Sequence, residues 1–263
     1  MAKQNKKVKE KTPSFVAEFE LEASSKGFAE LERMIRAYRQ IYNATLGELK
    51  RKLTFAKKSS AWQVARQLPK NSPERLEAFA VIRKNYQLSE AKAQEIAAKY
   101  RQGHLEELTN SRIVQQVAKR VWQSIEKYMY GKSKRVRFRK ANDFLSFSGN
   151  DNTTGVTVQI SSGTIKVSKL VFLYKIDSSN PYHLHALKHR VKFARIIKKV
   201  INGNSRFYVQ IVLEGIPYQN PKHTTQKGEL VGLDLGPRLI AVSTTTESFQ
   251  QEFCPSLANN IIL

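Results

Sequence analysis

The sequence contains one cysteine, Cys254, among 263 residues. A single cysteine excludes a disulfide within the chain and a zinc ribbon built from several cysteines, and it favours a reducing, cytoplasmic setting. The chain also lacks the eighteen or so uninterrupted apolar residues that a membrane-spanning helix needs. Residues 1–15 are basic, but no apolar segment follows them, so they do not have the pattern of a secretory signal. We therefore expect no zinc site and no membrane partner.

Acidic residues are scarce relative to basic ones. The chain has 22 Asp and Glu residues and 45 Lys and Arg residues, which gives a net charge of +23 spread along the whole chain. Such an excess predicts a polyanionic partner, because each neutralised phosphate releases condensed counterions. Hydrophobic residues make up 41% of the sequence, enough to bury one large or two modest cores.

The first half of the chain changes its hydrophobic period once. Alternating apolar residues in 13–23 predict a single strand. From Ser24 to about Tyr130, apolar residues recur every three or four positions, which predicts several helices. Within this region Ser72 and Pro73 are typical of a helix start. We therefore expect a helical insertion directly after one strand.

Alternation returns after Gly131. The segment "KRVRFRK" sets Val136 and Phe138 between cations and predicts a strand with a basic face, carried by Arg135, Arg137 and Arg139. Further short apolar runs, separated by turn residues, are typical of a barrel or sandwich. The most economical fold is α+β, with the isolated first strand joining the later strands in a β-barrel that the helices interrupt. The predicted domains are 1–24 (basic arm and first barrel strand), 25–131 (helical domain), 132–226 (remaining barrel strands) and 227–263 (a further unit).

Asp234 stands inside the apolar run "ELVGLDLGPRLIAVSTT". The alternation of Val231, Leu233 and Leu235 with Gly232 and Asp234 predicts a strand with one buried face, followed by a hairpin. Asp234 is then either a solvated residue on the open face or a functional carboxylate, and the pattern does not separate the two.

The order of these elements resembles the TnpB (OrfB) family of transposon-encoded RNA-guided nucleases, which are similar to the type V CRISPR effectors. The similar segments occur in family order over nearly the whole chain: "RAYRQIYNATLGELKRKL", "NSRIVQQVAKRVWQSIEKYM", "KRVRFRKANDFLSFSG", "SRFYVQIVLEG" and "LVGLDLGPRLIAVSTT". The resemblance implies a wedge domain of β-barrel fold, interrupted by a helical recognition domain. It also implies that a RuvC nuclease unit of ribonuclease-H-like fold follows, and that guide RNA and target DNA are the partners.

The resemblance further implies that Asp234 is one of three carboxylates that hold two Mg²⁺ ions for phosphodiester cleavage. In the family the other two lie well downstream, with a zinc ribbon between them, whereas this sequence ends at Leu263. Glu247 and Glu252 lie too close to Asp234 to match, and we expect them to be solvated. We therefore expect an incomplete RuvC unit whose first strand has an unpaired edge.

Two other groups of residues require interpretation. His183, His185 and His189 have a spacing that could suggest a metal site, but no cysteine is near and a polar loop or barrel connection is favoured. Aromatic residues stand among the cations of the helical region, where helical spacing assigns most of them to the core: Tyr42, Trp62, Tyr86, Trp122 and Tyr128. The candidate nucleic-acid-binding residues are the cations Arg36, Arg39, Lys50, Arg51, Lys52, Lys119, Arg120, Arg135, Arg137, Arg139 and Lys140.

Three functions remain open from the sequence. The first is a nucleic-acid-binding remnant of a TnpB-like nuclease that is unable to cleave alone. The second is an active Mg²⁺-dependent DNA endonuclease, completed by a second chain. The third is a basic RNA- or DNA-binding protein unrelated to guides.

Overall fold

The computed structural model describes residues 12–221, 232–235, 239–243 and 248–252. The chain divides into two units, Met1–Tyr218 and Gln219–Leu263. The four domain boundaries derived from the sequence stay predictions.

The first unit is built on a seven-stranded antiparallel sheet. Its strands are β1 (Ser14–Glu22), β2 (Ser146–Ser148), β3 (Val156–Gln159), β4 (Thr164–Val167), β5 (Leu170–Tyr174), β6 (Val191–Ile201) and β7 (Asn204–Glu214). They lie in the order β2-β6-β7-β1-β5-β4-β3, and β3 also contacts β6, so the sheet curls into a nearly closed barrel. The first strand pairs with β7 from Ser14 opposite Glu214 to Glu20 opposite Tyr208, and with β5 at Leu21. The prediction that the isolated strand joins the later ones is confirmed.

Between β1 and β2 the chain forms helices. They are α1 (Ser25–Lys58), α2 (Ser60–Gln67), α3 (Pro73–Asn85), α4 (Glu90–Arg101) and α5 (Ser111–Met129). Each begins after a residue whose side-chain oxygen accepts a backbone N–H of the first turn, which satisfies a donor that the helix itself leaves free. These capping residues are Ser24, Ser59, Ser72, Ser89 and Asn110. The predicted helical insertion is therefore present.

The helices and the barrel share one hydrophobic core. Tyr38 of α1 packs against Phe147 of β2 with ring centroids 5.0 Å apart, and Phe28 of α1 stacks on Phe207 of β7 at 5.3 Å. Burying large aromatic side chains contributes strongly to stability, so the insertion and the barrel stabilise each other. The aromatic residues Trp62 and Trp122 are buried as well, as their helical spacing predicted.

One local prediction was wrong. Residues 135–140 form no strand; they belong to an irregular segment between α5 and a 3₁₀ turn at Ala141–Asp143. The side chain of Asn43 in α1 binds the backbone of Arg139 in place of a neighbouring strand. The histidine segment, predicted as a polar loop or barrel connection, connects β5 to β6 and contains a short helix, α6 (Pro181–Ala186). Its start is favoured by Pro181 and by the Asn180 side chain, which accepts the N–H of Tyr182.

The second unit contains a three-stranded antiparallel sheet in the order β10-β9-β8. Its strands are β8 (Gly232–Leu235), β9 (Leu239–Ser243) and β10 (Ser248–Glu252). Asp234 pairs with Ala241, which matches the predicted hairpin, and within the described residues β8 is an edge strand. The side chain of Leu233 is 61% exposed, so it does not lie on a buried face as the alternation predicted. The side chain of Asp234 lies outside the described part of the structure.

Among the described residues, no helix has the length and hydropathy required to cross a membrane.

Candidate nucleic-acid interface

The irregular basic segment lies on α1 and is held there by one side chain. The amide of Asn43 donates from Nδ2 to the carbonyl of Arg139 at 2.9 Å and accepts the Arg139 N–H at Oδ1 at 2.8 Å. Val136 of the segment is half-buried against the core, whereas Arg135, Arg137 and Arg139 are exposed. The predicted basic face is therefore present, although the backbone that carries it is not a strand.

The segment faces α5 across a groove that we call the basic cleft. Two adjoining cavities of about 300 and 540 Å³ form it, and they share Tyr42, Ser124, Lys127 and Arg139. The cations that line the cleft are Arg120, Lys127, Lys134, Arg135, Arg137 and Arg139. Among the described residues none of these six cations forms a salt bridge. One carboxylate, Asp143, lines the smaller cavity, where it accepts the backbone N–H of Lys140.

Arg120 differs from the other cleft cations because its side chain is half-buried and directed at the barrel. Its Nη1 donates to the carbonyl of Ser146 at 2.8 Å, and its Nη2 donates to the hydroxyl of Ser148 at 3.3 Å. Burial, followed by the nearby charges of Arg195 and Arg139, lowers the pKa of Arg120 from its ordinary value. Arginine nevertheless stays protonated at physiological pH, so the Arg120 guanidinium is a poorly hydrated positive charge.

Aromatic rings lie beneath one cleft cation, Arg139, and beneath Lys50 of α1. The guanidinium of Arg139 is 6.0 Å from the ring centroid of Tyr42, and Lys50 Nζ is 5.1 Å from that of Phe138. Tyr42 is buried and its hydroxyl contacts Ser124 at 3.3 Å, so it supports the cleft and has no free face. Phe138 is 48% exposed and can stack on a base.

The remaining predicted cations do not line the two cavities of the cleft. Arg36 and Arg39 line a separate cavity of about 220 Å³ with Lys198, whose Nζ donates to Glu32 at 2.7 Å. Lys52 donates to Gln87 at 3.1 Å. The other three are placed on α1, α5 and the irregular segment: Arg51 exposed, Lys119 half-buried and Lys140 exposed.

Sequence reasoning did not identify Lys127, Lys134 or Phe138. Arg120, Ser124 and Lys127 follow one another at spacings of four and three on α5, so they share one helix face. That spacing was the signal that could have revealed Lys127. Lys134 continues the basic run, whereas the exposure of Phe138 depends on the irregular path of its segment.

The histidines are occupied by local contacts. His183 Nδ1 accepts the N–H of Asp177 at 3.1 Å, His185 Nε2 lies 2.9 Å from the carbonyl of Ile216, and His189 Nε2 lies 3.1 Å from His185 Nε2. Across the described part of the chain there is no group of three or more His, Cys, Asp or Glu side chains arranged to hold a metal ion.

Neither a family model nor a curated protein matches this chain. Among solved structures, it is similar to the cryo-EM structure of a CRISPR-Cas12f ternary complex, with a TM-score of 0.42 and 12% sequence identity over 89% of this chain and 50% of that one. It is also similar to the cryo-EM structure of a Cas12f1-sgRNA-target DNA complex, with a TM-score of 0.37 and 9% identity over 92% of this chain and 66% of that one. The chain thus spans half of the first protein and about two thirds of the second.

Proposed function

We propose that this chain binds guide RNA and target DNA through the basic cleft, as the nucleic-acid-binding part of a TnpB-like RNA-guided nuclease. The observation that carries the proposal is the set of six cations lining one cleft, none of which has a salt-bridge partner among the described residues.

Like charges gathered in one groove repel one another, and a polyanion that enters the groove removes this repulsion. Four of the six cations are arginines, whose planar fork of N–H donors matches the oxygens of a phosphate. The irregular segment presents three of them on consecutive odd positions, so their spacing along an extended backbone suits successive phosphates of one strand. We therefore assign the sugar-phosphate backbone to the cleft.

The exposed ring of Phe138 favours the binding of single-stranded or structured RNA over the binding of a continuous duplex. This ring lies at the edge of the basic segment with Lys50 above it, and stacking on such a ring requires an unpaired base. The identity of the RNA as a guide is supported by the order of the TnpB-like motifs in the sequence. A basic protein unrelated to guides would bind RNAs without regard to their source.

We do not propose that this chain cleaves nucleic acid by itself. Asp234 is the one residue of this sequence that we match to a RuvC carboxylate, and a lone carboxylate does not hold two divalent ions across an in-line displacement. When bound in a complete site, Mg²⁺ would activate water and stabilise the leaving oxygen. The chain's own contribution is to bind and orient the nucleic acid.

Fluorescence anisotropy with a labelled structured RNA, repeated over a range of salt concentrations, tests the binding proposal. We expect affinity to fall steeply as salt rises, with a log–log slope of about 0.7 to 0.9 per phosphate contact. An affinity that does not change with salt contradicts the proposal. Sequencing the RNA that co-purifies with the chain then distinguishes a guide-RNA-binding protein from a basic protein that binds RNA of any source. One discrete transposon-end RNA supports a guide, and an unselected mixture of RNAs contradicts it.

A further inference from the structure

Among the described residues the half-buried Arg120 has no anionic partner, which a cation shielded from water normally has. Proteins bury arginine where a carboxylate or another anion pairs with it, because an unpaired charge is costly away from water. The two partners of Arg120 are neutral, the carbonyl of Ser146 and the hydroxyl of Ser148. They orient the guanidinium without neutralising it.

The groups around Arg120 add positive charge. Ser148 pairs in the sheet with Arg195 of β6, whose Nη1 donates to the neutral side chain of Gln210 at 3.1 Å. Arg139, above the ring of Tyr42, is also near enough for its charge to lower the pKa of Arg120. The charges of Arg139 and Arg195 thus both act on Arg120, and within the described residues no salt bridge involves Arg120, Arg139 or Arg195.

A cavity of about 300 Å³ opens beside this cluster. Its volume lies at the lower end of the range of small-ligand sites, about 300 to 1,000 Å³. Besides Arg120 and Arg139, Gln123 and Lys127 bring side-chain N–H donors to its lining, whereas the Ser124 hydroxyl already donates to the carbonyl of Arg120 at 3.0 Å. Arg120 uses two N–H groups for Ser146 and Ser148, and three of its five remain for a ligand.

We infer that this cavity is a phosphate-binding site in which the half-buried Arg120 is the anchor and Arg139 and Lys127 complete the charge. Its ligand is a tetrahedral phosphate group, and in the nucleic-acid complex this is a single backbone phosphate, bound more deeply than those along the exposed arginines. The assignment to a backbone phosphate rests on the proposed function, whereas the affinity for phosphate does not. Asp143, at the cavity wall, is exposed and already accepts the N–H of Lys140, which leaves the anchor free for the ligand.

The first experiment measures the binding of inorganic phosphate by ³¹P NMR line broadening at constant ionic strength. We expect the unaltered chain to bind phosphate and Arg120→Gln to weaken that binding at least about tenfold, since a charge-assisted bidentate contact is lost. Lys166→Gln, at an exposed position of β4 outside the cleft, is the control and should not change it. Equal binding by the unaltered chain and Arg120→Gln, or no binding by either, overturns the phosphate site.

Because Arg120 also contacts β2, three further variants separate binding from folding. Lys127→Gln and Arg139→Gln remove charge from the cavity without removing a contact to β2, and each should weaken phosphate binding. Ser148→Ala removes one neutral partner of Arg120 but keeps the Arg120 guanidinium, so this variant should still bind phosphate. If Lys127→Gln and Arg139→Gln bind phosphate as the unaltered chain does, the site is overturned.

The second experiment repeats the RNA salt titration with Arg120→Gln. Loss of one phosphate contact should reduce the log–log slope by about 0.7 to 0.9. An unchanged slope, together with phosphate binding that depends on Arg120, contradicts the backbone assignment and identifies a site for free phosphate. If the unaltered chain does not bind RNA at all, the proposed function fails while the phosphate titration still decides the site.

Discussion

The side-chain amide of Asn43 and the backbone of Arg139, 96 positions apart in the chain, form a reciprocal pair of hydrogen bonds of 2.9 and 2.8 Å. The pair gives the irregular segment the partners that a neighbouring strand would otherwise provide. It also sets the position of the arginines on either side of it. The most basic part of the chain is therefore held in place by one neutral side chain.

Asn43→Ala should loosen the basic segment. Two hydrogen bonds of about 0.5 to 1.5 kcal/mol each are lost at a site open to water, and we expect unfolding to become easier by about 1 to 2 kcal/mol in urea denaturation. Hydrogen exchange at Arg139 should accelerate and RNA affinity should fall. Gln40→Ala, at an exposed position of the same helix, is the matched control, and equal exchange at Arg139 in the two variants contradicts the prediction.

Replacing Arg135, Arg137 and Arg139 together by glutamine should flatten the salt dependence of RNA binding. If each contacts one phosphate of a single strand, the log–log slope falls by about 2. The measurement is fluorescence anisotropy over a salt series.

The control for that variant removes the same number of charges outside the cleft, by replacing Lys166, Lys169 and Lys188, all exposed, with glutamine. A similar loss of slope in both triple variants would show that total charge, and not the cleft, governs binding.

Tyr38→Phe should destabilise the fold without changing the interface. The buried hydroxyl of Tyr38 accepts the N–H of Asn110, the residue that caps α5, at 3.0 Å. Removing this acceptor leaves a donor unsatisfied beside the core, at a cost of about 1 to 3 kcal/mol in urea denaturation. RNA affinity of the folded protein should remain the same.

Tyr100→Phe is the matched control, because the hydroxyl of Tyr100 donates to the carboxylate of Glu48 at 2.7 Å in a half-buried setting where water can replace it. It should cost less than Tyr38→Phe. A cost for Tyr100→Phe that equals or exceeds that of Tyr38→Phe would contradict the role assigned to the Tyr38 hydroxyl.

Stability should fall in acid partly through Asp151. Its carboxylate accepts the hydroxyl and the N–H of Thr153 and the N–H of Thr154, and these hydrogen bonds lower the pKa of Asp151 in the folded chain. The folded pKa lies below the unfolded value of about 3.9, so the contribution is complete above that pH and is lost as the pH falls through the folded value.

Thermal unfolding from pH 7 to pH 2 measures this contribution. The difference in Tm between the unaltered chain and Asp151→Ala should be largest near neutral pH and shrink in acid. Glu107→Ala, at an exposed position, corrects for the change in net charge. A difference that stays constant with pH would show that the hydrogen bonds do not depend on ionisation.

Asp234→Ala should leave both RNA affinity and nuclease activity as they are. We expect the isolated chain not to cut double-stranded DNA with Mg²⁺ or Mn²⁺, since its sequence offers one RuvC-type carboxylate. The assay compares guide-directed cleavage by the unaltered chain and by the variant. Metal-dependent cutting that disappears in Asp234→Ala would mean that Glu247, Glu252 or a second chain completes the site, and the proposal of an inactive chain would be wrong.

The kind and order of most elements follow from the sequence by itself. The periods of two and of three to four residues predict the strands and helices, because an amphipathic element needs only its own side chains to define a buried face. The return of the first strand to the later ones was also predicted, since a lone strand has to satisfy its backbone groups in a sheet. The excess of cations and the burial of Trp62 and Trp122 follow from composition and spacing in the same way.

The candidate site depended on the tertiary structure. Val136 and the arginines around it alternate as in a strand, yet their backbone bonds to Asn43, a residue far away in sequence that no local pattern identifies. Arg120 and the exposed Lys127 share one helix face, and only the approach of β2 separates a half-buried anchor from a surface charge. Alternation likewise predicted a buried Leu233, which is exposed in the described hairpin, because burial requires a second surface that covers the strand. Local sequence determines which face of an element is apolar or charged, whereas long-range packing decides what that face meets.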